Sequence, residues 1–157
     1  MHNNEKRRGG QSPGDILASS QQWWTDHTVS YDWKSPIPGE RFSAPWFDEL
    51  DRRFIFAHRL FAYDTRPFGR IIPFERIAGQ RVLEIGCGMG LHTKCLAKAG
   101  AQLTSIDISE TSIEATRRRL QLKGLTAETR RMDAQALNIR TRISTLSDPG
   151  ASFTTRL

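Results

Sequence analysis

The chain has 157 residues, carries a formal net charge of +6, and devotes about a quarter of its positions to charged residues. That length fits one domain with a modest core, and no apolar run reaches the length needed to span a bilayer. The N-terminus has charges but no apolar signal core, and two cysteines, Cys87 and Cys95, make neither a disulfide framework nor a metal spacing. A reducing cytoplasmic setting fits that cysteine usage. The positive charge alone points toward nucleic acid or an anionic surface, but it is scattered over separate short clusters. Arg117, Arg118 and Arg119 are consecutive on an expected helix, so they fan around it and read as a solvated face.

In chain order, residues 1–20 are polar, with Gly9-Gly10 and Pro13-Gly14, and read as a disordered leader. Residues 21–80 form a second unit, an N-terminal helical cap. Trp23 and Trp24 mark the start of packed structure, and Tyr31-Asp32-Trp33 with Pro36 and Pro38-Gly39 reads as an aromatic loop. Ser43 can cap a helix with Pro45 in its first turn. Trp46, Phe47, Leu50, Phe54, Ala57, His58 and Phe61 then recur at helical spacing, as a core stripe that runs toward Pro67. Asp48, Glu49, Asp51, Arg52 and Arg53 fill the other face, and His58 is read as a packed histidine.

A third unit covers residues 81–137. Val82, Leu83 and Ile85 give the short apolar run of a strand buried on both faces. Gly86, Gly88 and Gly90 follow, and a helix opens at Leu91 and closes before Gly100. Gln102 to Ile106 is a second strand, with Asp107 at its tip, twenty-one residues after Gly86. Ser109 caps a helix that Gly124 ends, and Ala127 to Met132 is a third strand with Asp133 and Ala134 at its tip. A strand, a glycine turn and a helix N-terminus make a site for a nucleotide-like ligand. An acid at the second strand's tip, about 20 residues on, is placed to accept hydrogen bonds from two ribose hydroxyls. Cys87 in the turn is read as a small residue filling a tight space rather than as a reactive thiol.

The pattern E-I-G-C-G-M-G, from Glu84 to Gly90, resembles motif I of the class I S-adenosylmethionine-dependent methyltransferases. Its third glycine stands one position earlier than in the dinucleotide fingerprint. The resemblance implies an α/β fold: a Rossmann-like, doubly wound parallel sheet of which only the first half is present, behind a helical N-terminal cap. It implies S-adenosylmethionine as cofactor and methyl transfer to a small-molecule acceptor; the lack of a long apolar run speaks against a membrane partner, and the scattered charge disfavours nucleic acid. Glu84 would support the turn and the cofactor's amino group, while Gly86, Cys87, Gly88 and Gly90 would admit the methionine portion. Asp107, with Ile108 beside it, would hold the ribose, and Asp133 with Ala134 the adenine. The aromatic segment is similar to the cap of small-molecule methyltransferases, in which Tyr31 is placed to touch cofactor. No catalytic residue and no metal site follow from the resemblance. A nicotinamide-dependent oxidoreductase and a non-enzymatic cofactor-binding remnant stay open beside it.

Residues 138–157 leave this pattern. They are rich in Arg, Ser and Thr where a fourth, apolar strand belongs, so they read as a disordered tail on a truncated or frame-shifted copy. From Ile143 to Leu157 the third base of each codon can be joined to the first two of the next. Wobble then permits F-D-F-V-R-S-W-G-V-I-H-H-S-S, which is similar to the family's fourth strand and following loop.

Overall fold

A computed structural model of the chain describes residues 12–28 and 35–137. Tyr31, most of the expected leader and the whole of residues 138–157 lie outside the described residues.

The first helix, α1, spans Pro13–Asp26, so the helical region starts inside the expected leader. The reason is a capping box. The Ser12 hydroxyl accepts from the Asp15 amide, and the Asp15 carboxylate accepts from the Ser12 amide. Pro13 occupies the first turn, where its missing N–H costs nothing. What reads in sequence as a Pro-Gly breaker is a helix start.

The second helix, α2, spans Ala44–Ala57, with Ser43 accepting from the Trp46 amide as its cap. It ends earlier than the aromatic stripe. The His58 amide and its Nδ1 both turn back to the Phe54 carbonyl, at 3.0 Å each. Phe61 therefore lies beyond the helix and is exposed, whereas Trp46, Phe47 and Leu50 are buried. Turns and a short 3-10 segment, Phe74–Arg76, carry the chain to the sheet, with Phe74 buried.

The sheet alternates strictly with helices. Strand β1 (Arg81–Ile85) leads to α3 (Leu91–Lys98), β2 (Gln102–Asp107) to α4 (Glu110–Lys123), and β3 (Glu128–Arg131) follows. The order is β1-β2-β3 and both pairings are parallel, with Ile85 opposite Ile106 and Ile106 opposite Arg130. Such connections require a crossover helix, which α3 and α4 provide. Both pack on β2 and on each other, and α1 and α2 lie against α4.

Two apolar clusters hold these layers. Ile37, Trp46, Phe47 and Leu50 meet Met89 of the glycine turn and Ala115 of α4. Phe74 meets Leu91, Cys95 and Leu96 of α3 and Leu103 of β2. The first cluster fixes the glycine turn to α2 through Met89, and the second packs α3 on the sheet.

Strand β1 departs from expectation, because it is not buried on both faces. Ile85 is 55% exposed, and Leu83, on the same face by alternation, is only partly covered. Among the described residues β1 pairs with β2 alone, so its other edge and part of one face have no cover.

Candidate functional site

The strand tips are built around one carboxylate. Asp107 Oδ2 accepts from the Gly88 amide and Oδ1 from the Ser109 amide, each at 2.9 Å. Its backbone carbonyl accepts from the Met132 amide at 2.9 Å. One residue thus ties the glycine turn, the α4 cap and the end of β3. The neighbouring Ile106 carbonyl accepts from the amides of Gly86 (2.8 Å) and Cys87 (3.1 Å), which folds the turn back over β2.

The glycines divide into two kinds. Gly86 and Gly88 have φ of +75° and +52°, and a Cβ built on either would meet nothing within 4 Å. They leave room beside the turn. Gly90 has φ +74°, but a Cβ there would stand 2.8 Å from Thr116 Oγ1 and 3.0 Å from Thr116 Cα. It lets α4 pack directly on the turn. The Thr116 hydroxyl completes that contact, 3.1 Å from the Gly88 carbonyl and 3.5 Å from Cys87 Sγ.

Glu84 works from behind. Its Oε2 accepts from the hydroxyls of Thr93 and Ser105, both at 2.6 Å, and so joins β1, α3 and β2. Burial raises its pKa above the ordinary carboxylate value despite these two donors. The Cys87 thiol is buried, and desolvation pushes it up to about 12. It is therefore a filler of the turn and not a nucleophile.

A cavity of about 640 Å³ opens at this edge. Gly86, Cys87, Gly88, Asp107, Ile108, Asp133 and Ala134 all line it. The Asp133 carboxylate caps the turn after β3 by accepting from the Gln135 amide at 2.9 Å. Glu84 and Gly90 are absent from the lining, and each holds the turn through the contacts described above. Sequence reasoning missed the helical side of the cavity. Ser20 and Trp24 come from α1 and Thr28 from the residues just after it, Leu50 and Phe54 from α2, and Leu91 and His92 from α3. The tryptophan pair was a visible signal, and so was the position of His92 just after the glycines.

His92 sits in an aromatic box. Its ring stacks on Phe68 (centroids 5.4 Å, planes 26° apart) and meets Phe54 edge-on at 5.5 Å. Burial, and then His58, lowers its pKa below 6.5. Among the described residues neither of its ring nitrogens has a hydrogen-bond partner.

One buried ion cluster braces the site. Arg119 of α4 is fully buried and donates to Asp51 of α2 at 2.6 Å and to the Met89 carbonyl at 2.7 Å. Its guanidinium lies 4.2 Å above the Phe47 ring, and Lys94 of α3 also donates to Asp51. This corrects two expectations. Arg119 does not belong to a solvated face, and Asp51 is 6% exposed despite its place among polar residues of α2. The sequence shows each charge but not the three-helix junction that pairs them.

Parallel strands whose carboxyl ends carry a glycine turn and paired acids define the Rossmann-like α/β class. Residues 82–145 match the family described as "Methyltransferase domain". Among curated proteins, the ubiquinone biosynthesis O-methyltransferase of Stutzerimonas stutzeri (strain A1501) is 38% identical over 61 residues, covering 39% of this chain and 26% of that protein. The ribosomal RNA small subunit methyltransferase C of Chromohalobacter salexigens is 36% identical over 76 residues, 47% of this chain and 23% of that protein. The magnesium protoporphyrin IX methyltransferase of Synechocystis PCC 6803, solved with bound SAH, superposes with a TM-score of 0.53 at 17% identity. That superposition covers 78% of this chain and 54% of the other, and it shows the same fold. The chain spans about a quarter of the length of the curated relatives it matches. The motif from Glu84 to Gly90 lies inside the segment that matches the methyltransferase domain.

Proposed function

We propose that this chain supplies the cofactor-binding half of an S-adenosylmethionine-dependent methyltransferase that acts on a small-molecule acceptor. The observation that carries the reading is Asp107, which joins the glycine turn to the tip of β2 at the floor of an open cavity. Each of its oxygens accepts one amide, and a carboxylate offers about four acceptor positions, so two ribose hydroxyls can still be held. Gly86 and Gly88 leave room for the methionine portion, and Asp133 with Ala134 borders the place for adenine. The bound cofactor would supply an electrophilic sulfonium methyl. The chain's own part is to position the reactants and, with the apolar side chains of Trp24, Leu50 and Phe54, to exclude water.

The small-molecule acceptor is favoured because the cavity is walled by apolar groups, and because the ubiquinone relatives are named for small-molecule chemistry. Among the described residues no helix is long and apolar enough to cross a membrane, and no cluster of side chains can hold a metal ion. The free, buried Cys87 and Cys95 favour a reducing cytoplasm. Thermal shift separates the readings: S-adenosylhomocysteine should raise the melting temperature and NADH should not. A shift by NADH alone would mark an oxidoreductase fragment, and no shift by either would mark a remnant.

We also infer that the coding frame breaks after about residue 137, because the chain leaves the strand pattern there and the shifted codons from Ile143 permit a fourth-strand peptide. Reading the DNA tests this at once. Bases that cannot encode that peptide end the idea.

A further inference from the structure

The cavity has two ends made by different elements. Strand tips bring Asp107, Asp133 and their neighbours, and helices bring Trp24, Leu50, Phe54, Leu91 and His92. The strand-tip end is occupied, in the reading above, by the nucleoside. The helical end is apolar except for few groups, and one of them is an imidazole.

The other titratable groups in the lining belong to the strand-tip end given to the cofactor above, or are inert. Asp107 gives both oxygens to backbone amides, and Asp133 caps its own turn. Cys87 is buried against Thr116. His92 differs, because its ring is held on two sides by Phe54 and Phe68 while its nitrogens bond to nothing among the described residues. A ring held that firmly by packing, with free nitrogens at a cavity wall, is set up to meet a ligand.

We propose that His92 is the acceptor-side residue of this site, contacting a hydroxyl on a flat apolar acceptor seated against Trp24, Leu50 and Phe54. The inference rests on the methyl-transfer reading. A hydroxyl is the group that needs such a partner, since an amine attacks through its free lone pair but a neutral hydroxyl must lose a proton when it is alkylated. The hydroxyl oxygen attacks the sulfonium methyl, so a C–O bond forms as the S–CH₃ bond breaks. The bonding pair returns to sulfur as a neutral thioether, and the hydroxyl proton passes to the imidazole of His92. Charge balances, with one cation before and one after.

The setting suits that role. Burial holds His92 below its ordinary pKa, so the ring is neutral and ready to accept at pH 7. The titratable group on its other side is His58, just past the end of α2, which lies in the same aromatic box and lowers its pKa further. On α3 itself, Lys94 is drawn to Asp51. From the sheet edge, Asp107 is bound to backbone amides, and α1 with the residues just after it brings no charged group to the lining, only Ser20, Trp24 and Thr28.

The test is calorimetry on the full chain, with S-adenosylhomocysteine and then pyrocatechol as probes, between about pH 5 and pH 8. The expected result has three parts. His92→Phe leaves S-adenosylhomocysteine affinity unchanged and lowers pyrocatechol affinity on the order of tenfold. Wild-type pyrocatechol binding weakens as pH falls, because imidazolium cannot accept the hydroxyl hydrogen. His92→Gln, which keeps an acceptor but cannot titrate, retains affinity and loses the pH dependence. If His92→Phe weakens S-adenosylhomocysteine instead, His92 belongs to the cofactor and the proposal is overturned. Pyrocatechol binding with no dependence on pH or on His92 also overturns it, while cofactor binding stands. If wild-type chain binds no S-adenosylhomocysteine, the cofactor reading fails separately. Pyrocatechol is then titrated onto the chain alone, where loss of binding in His92→Phe supports the residue's role and unchanged or absent binding rejects it.

Discussion

Gly88 and Gly90 stand two residues apart, share a left-handed backbone and do different jobs. Gly90→Ala drives a methyl group into Thr116 and should cost about 2–4 kcal/mol, the sum of backbone strain and overpacking. Gly88→Ala meets open space, so it should cost only the strain of about 1–2 kcal/mol while impairing cofactor binding. Urea denaturation beside a binding titration distinguishes the two. Equal loss of stability in both would contradict the division. Glu84 gives a prediction in pH. Its folded pKa is raised, so its contribution to stability is full below its unfolded pKa of 4.5 and is lost as pH rises through the folded value. Glu84→Gln removes the titration and keeps an acceptor for Thr93 and Ser105. The variant should be at least as stable as wild type at pH 7 and should lack that fall. Melting curves from about pH 4 to pH 7 decide it, and a variant markedly less stable at pH 7 would mean the charge itself is needed.

At the scale of elements, the strand–turn–helix unit was legible because each signal was local. The apolar run of β1, the glycines, the Ser109 cap and the Gly124 stop all lie within a turn of the feature they control. Asp107 was legible for the same reason, as a spacing along the chain. The α1 start was also local, but Pro13-Gly14 masked the Ser12–Asp15 capping box. The junction of α2, α3 and α4 was not legible, since Asp51 and Arg119 meet across sixty-eight positions and nothing near either announces the partner. That junction carries a large energetic consequence. Asp51→Ala leaves Arg119 buried and unpaired, which should cost about 3–5 kcal/mol. Adding Arg119→Met should restore part of the loss, because an apolar side chain tolerates that site. A double variant no more stable than Asp51→Ala would show that Arg119 acts through the Met89 carbonyl and Phe47 instead.

At the scale of the molecule, the layers converge on one edge. The helices α3 and α4 hold the glycine turn from one side, α1 and α2 wall the cavity from another, and the strand tips supply its polar floor. The exposed Ile85 and partly covered Leu83 mark where this sheet lacks a neighbour among the described residues, on the edge beside β1. The central claim is that the floor of this cavity binds the adenosyl cofactor through Asp107. Isothermal titration of the full chain with S-adenosylhomocysteine tests it directly, with Asp107→Ala and Asp107→Asn run alongside. Wild type should bind one equivalent. Asp107→Ala should weaken binding by on the order of 2–4 kcal/mol, and Asp107→Asn by less, because its amide oxygen still accepts from a backbone N–H or a ribose hydroxyl. Saturable binding with the same dissociation constant in all three proteins would contradict the account.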